Sequence, residues 1–246
     1  MIPNPIRKVL LTFQNCEVRA LLMGGQACVF YGAAEFSRDA DFAVPAHAEN
    51  LANLRRAMAD LEAEVIAVPP LTAEHLNRGH AVHLRCHHGE AAGLRVDLMA
   101  VLRGLAPFPE LWARRTTLGA EDGTRFELLA LADLVTAKKT QRDKDWPMVR
   151  RLVEADYAAH SEQATTAQVR FWLREARTPQ LLLELAARFP AECIALVKAR
   201  PLLKEVHRGL AAVEEALEAE QRYERARDRA YWEPLKRELE ALRRRR

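Results

Sequence analysis

The sequence predicts a mixed α/β module with a small sheet, followed by an all-helical C-terminal domain. Segments with the apolar or alternating pattern of strands occur only in the first half of the 246 residues. After Leu128 the apolar residues recur at helical spacing, and prolines (Pro179, Pro190 and Pro201) separate successive stretches. We therefore predict two domains, residues 1–125 and residues 126–246.

The first half contains five predicted strands and two predicted helices. The strands are predicted over residues 18–23, 39–44, 64–68, 82–87 and 94–100, the last two joined as a hairpin by a glycine-rich turn. A short helix should follow Gly24-Gly25 and end near residue 31, and leucines at helical spacing predict a second helix over 48–62.

The second half should contain helices only. An amphipathic helix is predicted over 131–142, and Asp145-Trp146-Pro147 has the pattern of an N-cap region that opens the next helix. From about residue 202 the chain is rich in Ala, Leu, Glu and Arg. This composition predicts one long helix that is bent or interrupted near Pro234.

Composition excludes several classes of protein. The chain is 49% hydrophobic and 29% charged, and its four cysteines lack the spacing of a zinc site or a disulfide framework. No run approaches the ~18 apolar residues of a membrane span, so we expect a soluble, cytoplasmic protein without a membrane partner. The net charge is +3 and the positive excess lies in the C-terminal half. That excess indicates either a polyanionic partner or a solvated helix face.

Three aspartates form the candidate catalytic group. Asp39 and Asp41 are two residues apart, so a strand would point both to the same face. Asp97 lies between Val96 and Leu98 on a later predicted strand. If the strands are neighbours, the three carboxylates converge and can bind Mg²⁺ or Mn²⁺, as two-metal catalysis at phosphorus requires.

The Gly24-Gly25 pair follows a predicted strand and precedes a predicted helix. Glycine permits close approach of a ligand, and the backbone N–H groups there can face a phosphate. A purely structural turn is an equally good interpretation of the pair. His83 and His87 would point to one face of a strand, and Cys86 and His88 to the other, so they cannot share a zinc ion and a structural or solvent-facing role is favoured. As an alternative, His83 or His87 is the best placed to act near an acceptor.

Together these residues resemble the nucleotidyltransferase superfamily related to DNA polymerase beta. The resemblance consists of Gly24-Gly25, thirteen intervening residues, Asp39-Ala40-Asp41, and Asp97 between apolar neighbours. The stretch 24–42, with Lys138-Lys139 and Arg142-Asp143-Lys144-Asp145, is similar to the AbiEii-like group of minimal nucleotidyltransferases, which includes toxins of toxin–antitoxin pairs. The implied fold is a nucleotidyltransferase core.

The resemblance also implies roles for individual residues. Asp39 and Asp41 would bind the metal, and Asp97 would complete the metal site and serve as general base. Lys138 would be catalytic, and Asp145 would orient a neighbouring cation. The remaining nucleotide-binding positions would be Gly24, Gly25, Gln26, Arg38, Lys139, Arg142 and Lys144. Gln26 replaces the Ser or Thr that is frequent after the glycine pair.

The implied reaction transfers a nucleoside monophosphate from an NTP to an acceptor hydroxyl and releases pyrophosphate. The basic C-terminal half and the toxin-like resemblance favour RNA, especially a tRNA 3′ end, as acceptor, with an antitoxin as a protein partner. A protein hydroxyl and a small molecule such as an aminoglycoside are alternatives. A nucleotide-binding module without catalysis is the alternative of another class.

Overall fold

The computed structural model of the protein describes residues 4–120 and 123–245. Contacts divide the chain into two compact units. The first unit contains residues 1–30, 34–137 and 231–246, and the second contains residues 31–33 and 138–230. The boundary predicted near residue 125 follows strand content rather than contacts, and it stays a prediction.

The first unit contains a seven-stranded mixed sheet. Its strands are β1 (Leu21–Met23), β2 (Asp39–Ala43), β3 (Glu64–Val65), β4 (Val82–Arg85), β5 (Arg95–Met99), β6 (Thr116–Gly119) and β7 (Arg125–Leu128). Their order is β3-β4-β5-β2-β1-β7-β6. The pairs β2–β5 and β1–β7 are parallel, and the other neighbours are antiparallel. Because no strand follows β7 in the described part of the chain, the predicted α/β fold class with a helical C-terminal part is confirmed.

Eleven α-helices and three short 3-10 helices are found among the described residues. The α-helices are α1 (Asn4–Asn15), α2 (Gly24–Phe30), α3 (Ala48–Asp60), α4 (Ala73–Arg78), α5 (Phe108–Ala113), α6 (Leu131–Ala137), α7 (Asp145–His160), α8 (Thr166–Glu175), α9 (Pro179–Arg188), α10 (Pro190–Leu196) and α11 (Leu210–Arg244). The 3-10 helices are Gly89–Ala91, Ser161–Gln163 and Pro201–Arg208. Of the part of the chain that is described, no helix is both long and apolar enough to cross a bilayer.

One face of the central strands is apolar and buried. Ala40 and Phe42 on β2 alternate in burial with their neighbours, and so do Val96 and Leu98 on β5. The Phe42 ring packs against Phe13 of α1 with centroids 4.9 Å apart. Each large apolar side chain buried here contributes about 1.5–3 kcal/mol. A one-residue slip of either strand would expose this set, so burial fixes the register.

Several predicted boundaries were wrong. The strand predicted over 18–23 is limited to Leu21–Met23, and the strand predicted over 64–68 is only Glu64–Val65. The helix predicted over 131–142 ends at Ala137. Its continuation is prevented at Thr140, whose hydroxyl accepts from the Arg142 N–H at 3.1 Å and thus holds a turn instead of a helix.

The long C-terminal helix also begins later than predicted. Residues Pro201–Arg208 form a 3-10 helix, and Gly209, with φ 93°, separates it from α11. Pro234 lies inside α11 and does not end the helix. Helices α1, α4 and α5 and strands β6 and β7 were not predicted. The sequences of α4, α5, β6 and β7 are short, whereas the apolar residues of α1 (Ile6, Val9, Leu10 and Phe13) recur at helical spacing and could have predicted that helix.

The second unit contains a buried ion cluster in its helical core. Arg200 is 3% exposed and donates to the Leu173 and Ala176 carbonyls at 2.9 Å each. Glu220 accepts from Arg200 at 2.9 Å and from Arg177 at 2.6 Å. The pKa of Glu220 is lowered, since burial would raise it but the neighbouring arginines outweigh that effect.

Candidate functional site

The polar face of the sheet brings the three predicted aspartates together. Strand β2 runs parallel to β5 in a register that sets Asp41 opposite Asp97 and Asp39 opposite Arg95. On the other side of β5, antiparallel β4 sets His83 opposite Asp97. Side chains alternate along a strand, so these five residues project from the face opposite Phe42. We call them the acidic face. The sequence predicted this shared face for Asp39, Asp41 and Asp97, but not for Arg95.

Gly24 and Gly25 lie close to this site, at two positions where a side chain would not fit. A Cβ built on Gly24 would lie 1.8 Å from Asp41 Oδ2, and Gly24 has φ 68°, where L residues are strained. A Cβ on Gly25 would lie 2.7 Å from Ser37 Oγ. The glycine pair therefore lets the end of β1 approach the Asp41 carboxylate closely.

The Asp97 carboxylate is held by two neighbours. Arg95 Nε donates to Oδ1 at 2.8 Å, and Arg95 Nη2 donates to Oδ2 at 2.9 Å. His83 Nδ1 lies 2.9 Å from Asp97 Oδ1 and also 2.9 Å from Arg95 Nη2, so its hydrogen-bonding role depends on the tautomer. Burial alone would raise the pKa of Asp97, but hydrogen bonds from His83 and Arg95 bring it below the usual value.

Arg95 was missed by the sequence analysis. It interacts electrostatically with Asp39 and Asp41 as well as with Asp97, and its pKa is raised mainly by the hydrogen bond to Asp97. The signal was available, since Arg95 stands two residues before Asp97 on one strand. The same spacing identified Asp39 and Asp41 as neighbours.

Gln26 and Arg38, two other predicted nucleotide-binding residues, differ in their exposure. Gln26 is 1% exposed, and its Oε1 has no hydrogen-bond partner among the described residues. Most buried polar atoms have a partner, so this acceptor is unusual. Arg38 is exposed immediately before β2. His87, the other histidine predicted as a candidate near the acceptor, pairs with Glu64 at 3.1 Å.

The donor chemistry of the acidic face fits a hard divalent cation. Within residues 4–120 and 123–245, no three His, Cys, Asp or Glu side chains form a preformed metal group. Mg²⁺, however, is commonly held by one or two carboxylates together with substrate phosphates. Asp39 and Asp41 supply such a pair of carboxylates on one face. The residues therefore fit an ion that is bound together with a phosphate ligand.

The predicted cations Lys138 and Arg142 lie in the second unit, around Asp145. The Asp145 carboxylate is 3% exposed and accepts from Lys138 Nζ at 3.3 Å and from Arg142 Nε at 2.8 Å. Thr140 Oγ1 donates to it at 2.5 Å. Burial would raise the pKa of Asp145, but Lys138, Thr140 and Arg142 lower it. Asp145 thus orients two of the cations, whose roles toward a nucleotide stay predictions.

The loop between α6 and α7, residues 138–144, is called the basic loop and is anchored by further contacts. Lys139 forms an ion pair with Glu175, whereas Lys144 is exposed just before α7. The Gln141 N–H donates to Asp228 Oδ2 at 2.8 Å, and Trp146 Nε1 donates to the Thr140 carbonyl at 2.8 Å. These bonds make the loop between α6 and α7 an ordered element rather than a solvated helix end.

Several arginines of α11 are paired with carboxylates. Arg225 pairs with Asp143 at 2.5 Å and is only 23% exposed. Other arginines pair with glutamates one turn away: Arg222 with Glu218, Arg227 with Glu224, and Arg237 with Glu233. Such exposed pairs offset much of the positive charge along this helix.

Comparison with known proteins leaves the family open. No protein-family model and no curated protein sequence matches the chain. The chain is similar to a solved structure from H. pylori that carries the provisional description of a nucleotidyltransferase, with 13% sequence identity and a TM-score of 0.40. That alignment covers 92% of this chain and 94% of the other. The likeness is too distant to assign a family or an activity.

Proposed function

We propose that the protein is a nucleotidyltransferase that moves a nucleoside monophosphate from an NTP to an acceptor hydroxyl. The acidic face is the observation that carries this proposal. Asp41 stands in register beside Asp97 and against the backbone of Gly24, with Asp39 on the same strand face. Carboxylates placed together in this way repel each other unless positive charge lies beside them, and a divalent cation would supply more of that charge than Arg95 alone. A binding module without catalysis would not need this arrangement.

The transfer replaces one bond to phosphorus by another. The acceptor oxygen forms a bond to the α-phosphorus, and the bond from that phosphorus to the bridging oxygen of the β-phosphate breaks, so pyrophosphate leaves. Asp39 and Asp41 would hold Mg²⁺ or Mn²⁺, which when bound offsets the charge that develops on the phosphate oxygens. A carboxylate oxygen of Asp97 would accept the proton of the attacking hydroxyl.

Labelled transfer tests the proposal directly. The protein is incubated with Mg²⁺ or Mn²⁺, with each α-labelled NTP in turn, and with total RNA, lysate protein or an aminoglycoside panel. We expect labelled acceptor and stoichiometric pyrophosphate from the wild type. Asp41→Asn should lower the rate by on the order of 100-fold or more, because it removes an anchoring charge at the reacting phosphate.

The control is Asp60→Asn, which removes a carboxylate from α3, outside the acidic face. Its rate should equal that of the wild type. RNA labelling would agree with the acceptor that the sequence predicts, whereas labelled protein or aminoglycoside would identify another acceptor. Metal-dependent NTP binding without any transfer would replace the proposal by a nucleotide-binding module. A toxin role and an antitoxin partner rest on the sequence resemblance alone.

A further inference from the structure

Arg95 places a positive charge among the carboxylates of the acidic face. Its guanidinium takes both oxygens of Asp97, at 2.8 and 2.9 Å, in the bidentate geometry that gives strong charge-assisted bonds. It also lies near enough to Asp39 and Asp41 to interact with both charges. One arginine therefore compensates three carboxylates that would otherwise repel one another.

The position of Arg95 follows from the strand pairing. It is opposite Asp39 across the parallel β2–β5 pair and two residues from Asp97 on β5. Its side chain is 37% exposed, whereas that of Asp97 is 15% exposed. The guanidinium is thus reachable from solvent while the carboxylate beneath it is mostly covered. An incoming anion can contact Arg95 without unfolding the strand.

We propose that Arg95 is an exchangeable counter-ion that holds Asp97 until a divalent cation and a polyphosphate bind together. This inference rests on the proposed function and adds a residue to it. When a cation is bound by the carboxylates, the guanidinium is repelled from Asp97. The phosphate oxygens of the nucleotide offer it an equivalent bidentate partner. Arg95 then changes partner from carboxylate to phosphate.

This exchange links the binding of the metal to the binding of the nucleotide. With the metal alone, Arg95 competes with the cation for the negative charge of Asp39, Asp41 and Asp97 and keeps the affinity for the cation low. With a polyphosphate present, Arg95 has a new anionic partner and ceases to compete. The protein therefore favours the metal–polyphosphate complex over the metal alone. A residue that only braced the fold would not distinguish the two ligands.

Two binding measurements on Arg95→Met test the exchange. Binding of Mn²⁺ alone is followed by electron paramagnetic resonance, and binding of preformed manganese–triphosphate by calorimetry. We expect Arg95→Met to bind Mn²⁺ alone at least about 10-fold more tightly than the wild type, because a competing positive charge is removed. It should bind manganese–triphosphate about 10-fold more weakly, because a bidentate phosphate contact is lost.

Two further variants serve as controls. Arg55→Met removes the same charge from an exposed position on α3, outside the acidic face, so it reports any general effect of net charge. It should change neither affinity more than about twofold. Arg95→Lys keeps the charge but loses the planar fork, so its Mn²⁺ affinity should stay near that of the wild type. This variant keeps the test valid if Arg95→Met folds poorly, as judged by thermal unfolding.

The outcomes separate this inference from the proposed function. If Arg95→Met weakens both ligands, Arg95 is structural and the exchange is wrong. If Arg95→Met binds both ligands more tightly, Arg95 opposes the metal but does not bind phosphate, which also overturns the exchange. In either case, loss of Mn²⁺ binding in Asp41→Asn would leave the proposed metal site standing. If wild type and Arg95→Met bind neither ligand, the proposed function fails together with the inference.

Discussion

The Asp41 carboxylate fills the space that a side chain on Gly24 would need. A Cβ on Gly24 would lie 1.8 Å from Oδ2 and 2.5 Å from Cγ of Asp41, which is too close for a side chain at this position. The end of β1 and the middle of β2 thus depend on each other. The glycine is required by the site as well as by the turn.

Gly24→Ala should therefore displace Asp41. We expect a loss of about 2–4 kcal/mol in the free energy of unfolding, from the strained φ and from the overlap with the carboxylate. Nucleotidyl transfer should fall together with stability. Urea unfolding and the labelled-transfer assay measure the two effects.

Gly93→Ala is the matched control for this change. Gly93 has φ 81° and nothing within 4 Å of a Cβ, so it reports the conformational strain alone. We expect Gly93→Ala to lose about 1 kcal/mol in the free energy of unfolding and to keep full activity. Equal stability losses in the two variants, with transfer retained in Gly24→Ala, would show that Asp41 does not need the open space at Gly24.

The acidic face could be predicted from sequence because strand alternation is local. The spacing of Asp39 and Asp41 places them on one face whatever the rest of the chain does. The same alternation places Arg95 beside Asp97, but the contact of His83 with Asp97 depends on the register of the β4–β5 pair, and the position of β2 beside β5 depends on the strand order. Strand order depends on long-range packing that a single sequence does not display.

The basic loop is another part of the chain that the sequence predicted only in part. Periodicity extended the helix to residue 142, but side-chain bonds from Thr140 and Asp145 end it at Ala137. Residues such as Thr and Asp compete with the helix by bonding to nearby groups. Apolar spacing carries no information about that competition. The charges of Lys138 and Arg142 were evident from the sequence, and the family resemblance implied that Asp145 orients a neighbouring cation; that Asp145 binds both was not predicted.

Asp145→Asn should destabilise the protein because it leaves the nearly buried Lys138 without its counter-charge. Asp145 is 3% exposed and Lys138 is 12% exposed. Removing one member of such a pair costs about 3 kcal/mol or more. Asp143→Asn is the control, since Asp143 is 90% exposed and should change stability by less than about 0.5 kcal/mol. Similar effects of the two substitutions would contradict the buried role of Asp145.

The effect of Asp145 should also depend on pH. Its pKa in the folded protein is lowered, so its carboxylate contributes stability above the ordinary aspartate pKa of about 3.9. That contribution is lost as pH falls through the lower folded pKa. The stability difference between wild type and Asp145→Asn should therefore be constant near neutrality and shrink below about pH 4. A difference that stays unchanged at low pH would show that the charge of Asp145 is not responsible.

Glu220→Gln should remove the shared acceptor of two buried arginines. The side chains of Arg177 and Arg200 are 7% and 3% exposed, and neutral glutamine cannot offset both charges. We expect a loss of about 3–5 kcal/mol in the free energy of unfolding. Glu218→Gln breaks an exposed pair with Arg222 on the same helix and should cost less than about 1 kcal/mol. Chemical denaturation of both variants decides between a structural ion cluster and dispensable charge.

RNA binding by the C-terminal arginines is best tested by substitution rather than by deletion. Removing residues after Gln221 would also remove Leu235, which is 2% exposed, and Glu238, which accepts from Arg78 at 2.5 Å and lies 2.9 Å from His80. A deletion would therefore disturb the first unit. Replacing Arg243, Arg244 and Arg245 with glutamine removes only exposed charge.

If these three arginines contact RNA phosphates, tRNA affinity should weaken and become less sensitive to salt. The log–log slope should fall by about 2–3, since each phosphate contact contributes roughly 0.7–0.9. The control replaces Arg222, Arg227 and Arg237, which give the same change in net charge but are paired with glutamates. Its slope should change by less than about 1. Equal changes in the two triple variants would indicate a general charge effect, and unchanged affinity in the first would exclude the tail from RNA binding.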